Sequence, residues 1–161
     1  RAKENCHLQI EYVNPFIESA TNILGQIAGI SAERGDLGLK SSTRPSHEVA
    51  TVLGIVGEVK GQVVYSMSQA TAKNIASQMM GGLPVEEFDE MAKSAIAELG
   101  NMITGNASTL LEQQGTRCNI SPPTLITGQE MQITAIKIQT LIVPMKTDCG
   151  PLEIAVGLQK A

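Results

Sequence analysis

Aromatic residues are nearly missing from this sequence: Tyr12, Phe16, Tyr65 and Phe88 are all there are, and tryptophan is absent. The core must therefore be aliphatic, with methionine as filler, and nucleic-acid binding by base stacking is disfavoured. Basic clusters are missing as well. A formal charge of −4 with no Lys/Arg run argues against a nucleic-acid footprint. The three cysteines, Cys6, Cys118 and Cys149, are far apart and form no C-x-x-C pair, so neither a zinc nor a redox site is indicated. Reduced thiols and a cytoplasmic setting are the simplest expectation. Only His7 and His47 are present, without metal-ligand spacing, which leaves no basis for a histidine triad. His47, beside Pro45 and Glu48, reads as a loop residue. No run of about 18 apolar residues exists to span a membrane. Phosphate-binding glycine loops, dinucleotide fingerprints and the serine nucleophile elbow are all absent. Arg1 to His7 is polar, lacks the apolar centre of a signal peptide, and reads as a disordered tail or a non-native extension. Residues 8–161 fit one domain.

The strongest pattern present runs from Glu87 to Gln114. Phe88, Met91, Ala92, Ala95, Ile96, Leu99, Met102, Ile103, Ala107, Leu110 and Leu111 recur at i, i+3, i+4, i+7 spacing, which predicts a helix with one buried stripe. Glu86, Glu87 and Asp89 place negative charge at its start, where the helix dipole favours it. The opposite face carries Glu90, Ser94, Ala97, Glu98, Asn101, Thr104, Gly105, Ser108 and Glu112. For a solvated face it has few Lys–Glu pairs, and its small residues would let another surface approach. Glu98 and Asn101 are one turn apart and project together. Asn106 falls by phase near the apolar stripe and reads as a buried, hydrogen-bonded structural residue.

In chain order, Asn14-Pro15 suits the N-cap and first position of a helix that ends near Gly29. A strand is expected over Glu33 to Ser42, a loop at Arg44-Pro45-Ser46, a strand over Val49 to Glu58, a turn at Lys60-Gly61 and a strand over Gln62 to Met67. Ser68 caps a helix to about Met80. After the long helix, Arg117 to Ile126 reads as an edge strand broken by Pro122-Pro123. One long strand is expected over Met131 to Lys146, a turn at Asp148 to Pro151, and a last strand over Leu152 to Leu158. The chain thus repeats helix-plus-three-strands twice. The expected fold is α+β, with two pseudo-symmetric repeats joined in one antiparallel sheet and two long helices on one face.

Glu98 and Asn101 are the chemical candidates. A Glu-x-x-Asn pair arises by chance in many helices and alone would usually be a solvated face. Three features favour more: Asn101 sits mid-helix, where asparagine is mildly unfavourable; the face is sparse in charge; and Ser94 completes Ser-x-x-x-Glu-x-x-Asn. That pattern resembles the motif of the CheC/CheX/FliY phosphatases. The surrounding AELGNMITGNAS and the opening EYVNPFIESATNIL look like the CheX branch, and the resemblance covers about Gln9 to Leu158.

The resemblance implies a chemotaxis hydrolase that accelerates loss of the aspartyl phosphate from a phosphorylated CheY-like response regulator in two-component signalling. On that basis Asn101 would fix the attacking water, Glu98 would engage the regulator's active-site lysine, and Ser94, Ala97 and Gly105 would border the contact. No metal or cofactor would be held by this chain; Mg²⁺ would sit on the regulator. A homodimer joined through its sheets is also implied. In related CheC proteins both long helices carry the motif, whereas here the first helix offers Asn14-x-x-x-Glu18-x-x-Thr21, without the final amide. A non-catalytic module that binds a regulator or dimerises is the alternative, and a two-repeat structural domain with a chance Glu-x-x-Asn pair is a third.

Overall fold

The structure is a computed structural model that describes the backbone of residues 2–40, 48–128 and 139–161, and the side chains of 10–38, 48–128 and 139–161. Its elements are α1 (Ala2–Ala28), β1 (Ala32–Arg34), β2 (Gly38–Lys40), β3 (Val49–Gly57), β4 (Val59–Met67), α2 (Gln69–Met79), α3 (Glu90–Gln113), β5 (Cys118–Ile120), β6 (Thr124–Thr127), β7 (Thr140–Thr147) and β8 (Gly150–Lys160). All eight strands join one antiparallel sheet. β4 and β8 lie at its centre, paired through Val63↔Val156 and Tyr65↔Ile154. β3 flanks β4, and β7 flanks β8. Each outer edge is filled by the other half of the chain: β1 and β2 pair with β7, while β5 and β6 pair with β3. The two repeats therefore exchange their first strand positions about the β4–β8 seam. Each of those positions is split into two short strands where one was expected.

Period-two alternation assigns the sheet faces. Leu53, Ile55, Val63, Tyr65, Met67, Val143, Met145, Leu152, Ile154 and Val156 face one core with the helices. Ala50, Val64, Ile142 and Ala155 form a smaller cluster apart from that core. Tyr12, Val13, Phe16, Ala20, Leu24 and Ala28 bury one stripe of α1, and Ala92, Ile96, Leu99, Ile103, Ala107 and Leu111 bury one stripe of α3. The hydroxyl of the buried Ser19 donates to the Ile103 carbonyl at 2.6 Å, joining the two helices.

Several local expectations hold. Ser68 caps α2 by accepting the Thr71 N–H at 3.1 Å. The long helix starts at Glu90 rather than Glu87, and Asp89 caps it by accepting the Ala92 N–H at 2.9 Å. Gly115, at φ 94°, ends the long helix in a conformation that only glycine adopts cheaply. Pro122-Pro123 does break the edge strand, and beside that break Ser121 exchanges bonds with Gly54: its N–H donates to the Gly54 carbonyl and its hydroxyl accepts the Gly54 N–H.

Others need correction. Pro15 lies inside α1 rather than at its start, and Asn14 is an exposed mid-helix residue rather than a cap. The apolar stripe continues upstream through Tyr12 and Val13, so burial carries the helix past the proline's missing donor. The backbone of 2–7, expected to be a tail, belongs to the same helix. Lys60-Gly61 is not a turn; the chain reverses at Glu58, and both residues pair within β4. Gly61 is required by close approach instead, because a Cβ there would overlap the Gly157 carbonyl of β8. Of the strand expected over Met131 to Lys146, the described part is β7; residues 129–138 lie outside the described residues, as do Arg44-Pro45-Ser46 and His47.

Between α3 and the sheet runs a short buried polar chain. The Thr104 hydroxyl donates to the Gly100 carbonyl at 2.7 Å, which uses its one proton. The Tyr65 hydroxyl, 2.8 Å away, therefore donates to Thr104. Burial pushes the Tyr65 phenol well above its ordinary range, so it remains a donor. Tyr65→Phe is expected to lower unfolding free energy by about 1 kcal/mol, read from urea denaturation with an unchanged slope. Because the folded phenol holds its proton where the unfolded one releases it, wild-type stability also falls as pH rises above about 10, and Tyr65→Phe should lose that dependence.

Candidate functional site

α3 places the candidate residues by its phase. With about 100° per residue, Met91, Ser94, Glu98, Asn101 and Gly105 fall within an arc of about 80°. Opposite that arc, Gly100 rests on the sheet. A Cβ at Gly100 would stand 2.9 Å from Thr51 Cγ2 and 3.4 Å from Tyr65 Cδ2, so only glycine lets the helix lie this close to β3 and β4. Glu98 and Asn101 straddle this contact in sequence and project away from it. Glu98 is exposed and Asn101 half-exposed. Neither side chain has a hydrogen bond or ion pair among the described residues. A carboxylate and an amide are thus held one turn apart on a rigid element with their polar atoms unspent.

The bordering residues have different surroundings. Ser94 and Ala97 line a hollow of about 340 Å³ with Glu90, Lys93, Pro123, Leu125 and Thr127, formed where α3 passes β6. Gly105 is half-buried beneath β5; a Cβ there would sit 3.9 Å from Ile120 Cδ1, an ordinary contact. The bareness of the lower face is thus explained within the chain: β5 covers it, with Ser108 beside Cys118. Burial raises the Cys118 thiol above its ordinary range.

Three readings of this helix change. Thr104, assigned to the outer face, is fully buried in the chain with Tyr65. Met91, assigned to the buried stripe, is 68% exposed. Asn106 is half-buried, but its amide oxygen is enclosed without a hydrogen-bond partner among the described residues. Sequence phase alone could have placed Met91, seven residues before Glu98 and about 20° away; its apolar character concealed it.

On α1, Asn14, Glu18 and Thr21 are all exposed. Thr21 turns its hydroxyl back to the Ile17 carbonyl at 3.0 Å. It presents no amide, so the arrangement on α3 has no counterpart there. Among the described residues no group of three or more His, Cys, Asp or Glu side chains could hold a metal ion.

A pseudo-two-fold antiparallel sheet carrying a helix with an exposed Glu-x-x-Asn face is the arrangement expected of the CheC-like class. The family described as "Chemotaxis phosphatase CheX" matches residues 49–146. The CheY-P phosphatase CheX of Thermotoga maritima is 36% identical over 126 residues, 78% of this chain and 81% of that protein. Among solved structures, CheX of Desulfovibrio desulfuricans superposes with a TM-score of 0.82 at 25% identity, covering 94% of this chain and 99% of that one. CheX of Borrelia burgdorferi, solved in a complex with CheY, BeF3 and Mg²⁺, gives a TM-score of 0.79 at 29% identity, covering 92% and 98%. The chain belongs to the CheX family of chemotaxis phosphatases.

The Gly100 contact generates a prediction. Gly100→Val puts a branched side chain against Thr51 and should cost about 3 kcal/mol or more by overpacking, measured as a lowered denaturant midpoint. An unchanged midpoint would mean that α3 does not rest on β3 there.

Proposed function

We propose that this chain accelerates hydrolysis of the aspartyl phosphate on a CheY-like response regulator, with Asn101 positioning the attacking water and Glu98 engaging the regulator. The observation that carries this reading is the Glu98–Asn101 pair on the outward arc of α3, without a partner among the described residues. The Thermotoga relative's name, CheY-P phosphatase, and the Borrelia relative's complex with CheY support it.

The chemistry asks little of the protein. Water oxygen bonds to phosphorus as the phosphorus–carboxylate bond breaks, giving inorganic phosphate and a free aspartate. The departing carboxylate has an ordinary pKa of about 3.9, so it leaves without a general acid. The transition state is loose, and catalysis is mostly positioning. An amide suits that task, since its oxygen accepts a water proton while its nitrogen donates. Glu98, a carboxylate beside an incoming phosphoryl anion, needs a cation to offset repulsion; the regulator's lysine supplies one. Mg²⁺ would be held by the regulator, where it would supply charge neutralisation to the phosphoryl group, and no residue of this chain is assigned to it. Ser94 and Ala97, lining the hollow beside β6, border the docked regulator, and Gly105 lies at the lower end of the same arc. We assign the chain to the cytoplasm, where its substrate acts; among the described residues no helix is long and apolar enough to cross a membrane.

Steady-state phosphate release from a phosphorylated regulator tests these roles. Asn101→Ala should lower kcat by well over tenfold, more than about 1.4 kcal/mol of barrier, with the regulator's binding constant intact. Full activity would sink the water-positioning role. Glu98→Ala should weaken binding and rate together, and an unchanged binding constant would count against its lysine contact. Binding without phosphate release by the wild-type chain would establish a non-catalytic module instead.

A further inference from the structure

Glu98 and Asn101 alone cannot hold a folded partner. A stable protein contact buries about 800 Å² on each side, and its strength concentrates in a few apolar or aromatic anchors. The outward arc of α3 leads to such anchors. Met91, two turns and about 10.5 Å from Glu98 along the helix, is 68% exposed, and Leu83 in the α2–α3 connection is 64% exposed. They are the two most exposed large apolar side chains among the described residues. Both line one hollow of about 550 Å³, with Met80, Pro84 and Val85 as further apolar wall and Glu86, Glu87 and Asp89 as acidic rim.

Among the described residues no carboxylate of that rim is held in an ion pair. Lys93 is spent on Glu90 at 3.4 Å, and Lys73 turns its ammonium to the Glu86 carbonyl oxygen at 3.3 Å rather than to a carboxylate. Asp89 is engaged in capping Ala92. Glu86 and Glu87 remain exposed. A second copy of this hollow would be repelled by the same charges, and so would an anionic membrane surface. Met91, which lines the hollow, lies on the same outward arc of α3 as Glu98, so a partner that reaches Glu98 along the helix also reaches this hollow. We infer that the regulator's footprint extends along α3 to Met91 and Leu83, where an apolar side chain of the regulator, flanked by Lys or Arg, fills the acid-rimmed hollow. This rests on the reading of α3 as the face that meets the phosphorylated regulator.

Two variants test it: Leu83→Ala/Met91→Ala and Glu86→Gln/Glu87→Gln. All four side chains are exposed, so thermal midpoints should match the wild type. With a regulator that the wild-type chain dephosphorylates, the apolar variant should raise KM about tenfold and leave kcat unchanged. The charge variant should flatten the fall of kcat/KM with added salt. An unchanged KM in the apolar variant, a loss confined to kcat, or a salt dependence identical to wild type would each overturn the footprint while leaving the catalytic pair in place. Titration with the regulator loaded with a beryllium fluoride phosphoryl mimic separates the two levels. If the wild-type chain does not bind at all, the reading of α3 fails and the footprint falls with it. If wild type and the apolar variant bind equally, only the footprint falls.

Discussion

The close approach of α3 to the sheet at Gly100 fixes most of what this molecule presents. With no Cβ to hold it off, the helix settles against Thr51 and Tyr65. The Tyr65–Thr104–Gly100 chain ties it down from the same side. Ser19 fastens it laterally to α1. A helix pinned along one line has its rotation set. The opposite arc, with Met91, Ser94, Glu98 and Asn101, must then face outward. The chemistry of the outer surface is in this sense determined by the packing beneath it.

What that surface lacks matches what the reaction does not need. A phosphoryl group passed to water through a loose transition state, with a carboxylate as the leaving group, requires neither a nucleophilic side chain nor a strong acid. A chain with two histidines and no metal-ligand spacing can still place one water. The cost of placing it is the loss of conformational freedom, and a rigid helix seated on a sheet has already met that cost during folding. The exposed Glu-x-x-Asn pair belongs to the second repeat, while α1, whose Thr21 bonds back to its own helix, packs against α3.

Much of this was legible in the sequence, for physical reasons that can be named. Ser68 and Gly115 mark helix ends because each satisfies a local backbone requirement. Val49 to Glu58 reads as a strand from its β-branching and its short length, and β3 covers all but the last of those residues. The Glu98–Asn101 pair emerged from helical phase. The errors arose where tertiary packing overrode a local signal. Pro15 resembled a helix start, but the buried run through Tyr12 and Val13 carried the helix through it. Gly61 resembled a turn, but it answers the Gly157 carbonyl across the β4–β8 seam. Met91 was counted as core because it is apolar, and Thr104 as surface because it is polar. The phase of Met91 beside Glu98 already places it on the outer arc, whereas only the position of Tyr65 on β4 reveals that Thr104 is buried. The exchange of edge strands between repeats was also invisible, since it depends on which half each short strand pairs with.

The most direct test of the account is single-turnover phosphate release with Asn101→Asp at saturating protein. Aspartate nearly matches asparagine in size and keeps an acceptor, but it removes the amide donors and adds a negative charge beside the phosphoryl group. The account predicts that regulator dephosphorylation slows by well over tenfold while α3 and the fold stay intact. Phosphate release at the wild-type rate would contradict it, because the amide of Asn101 would then not be what places the water.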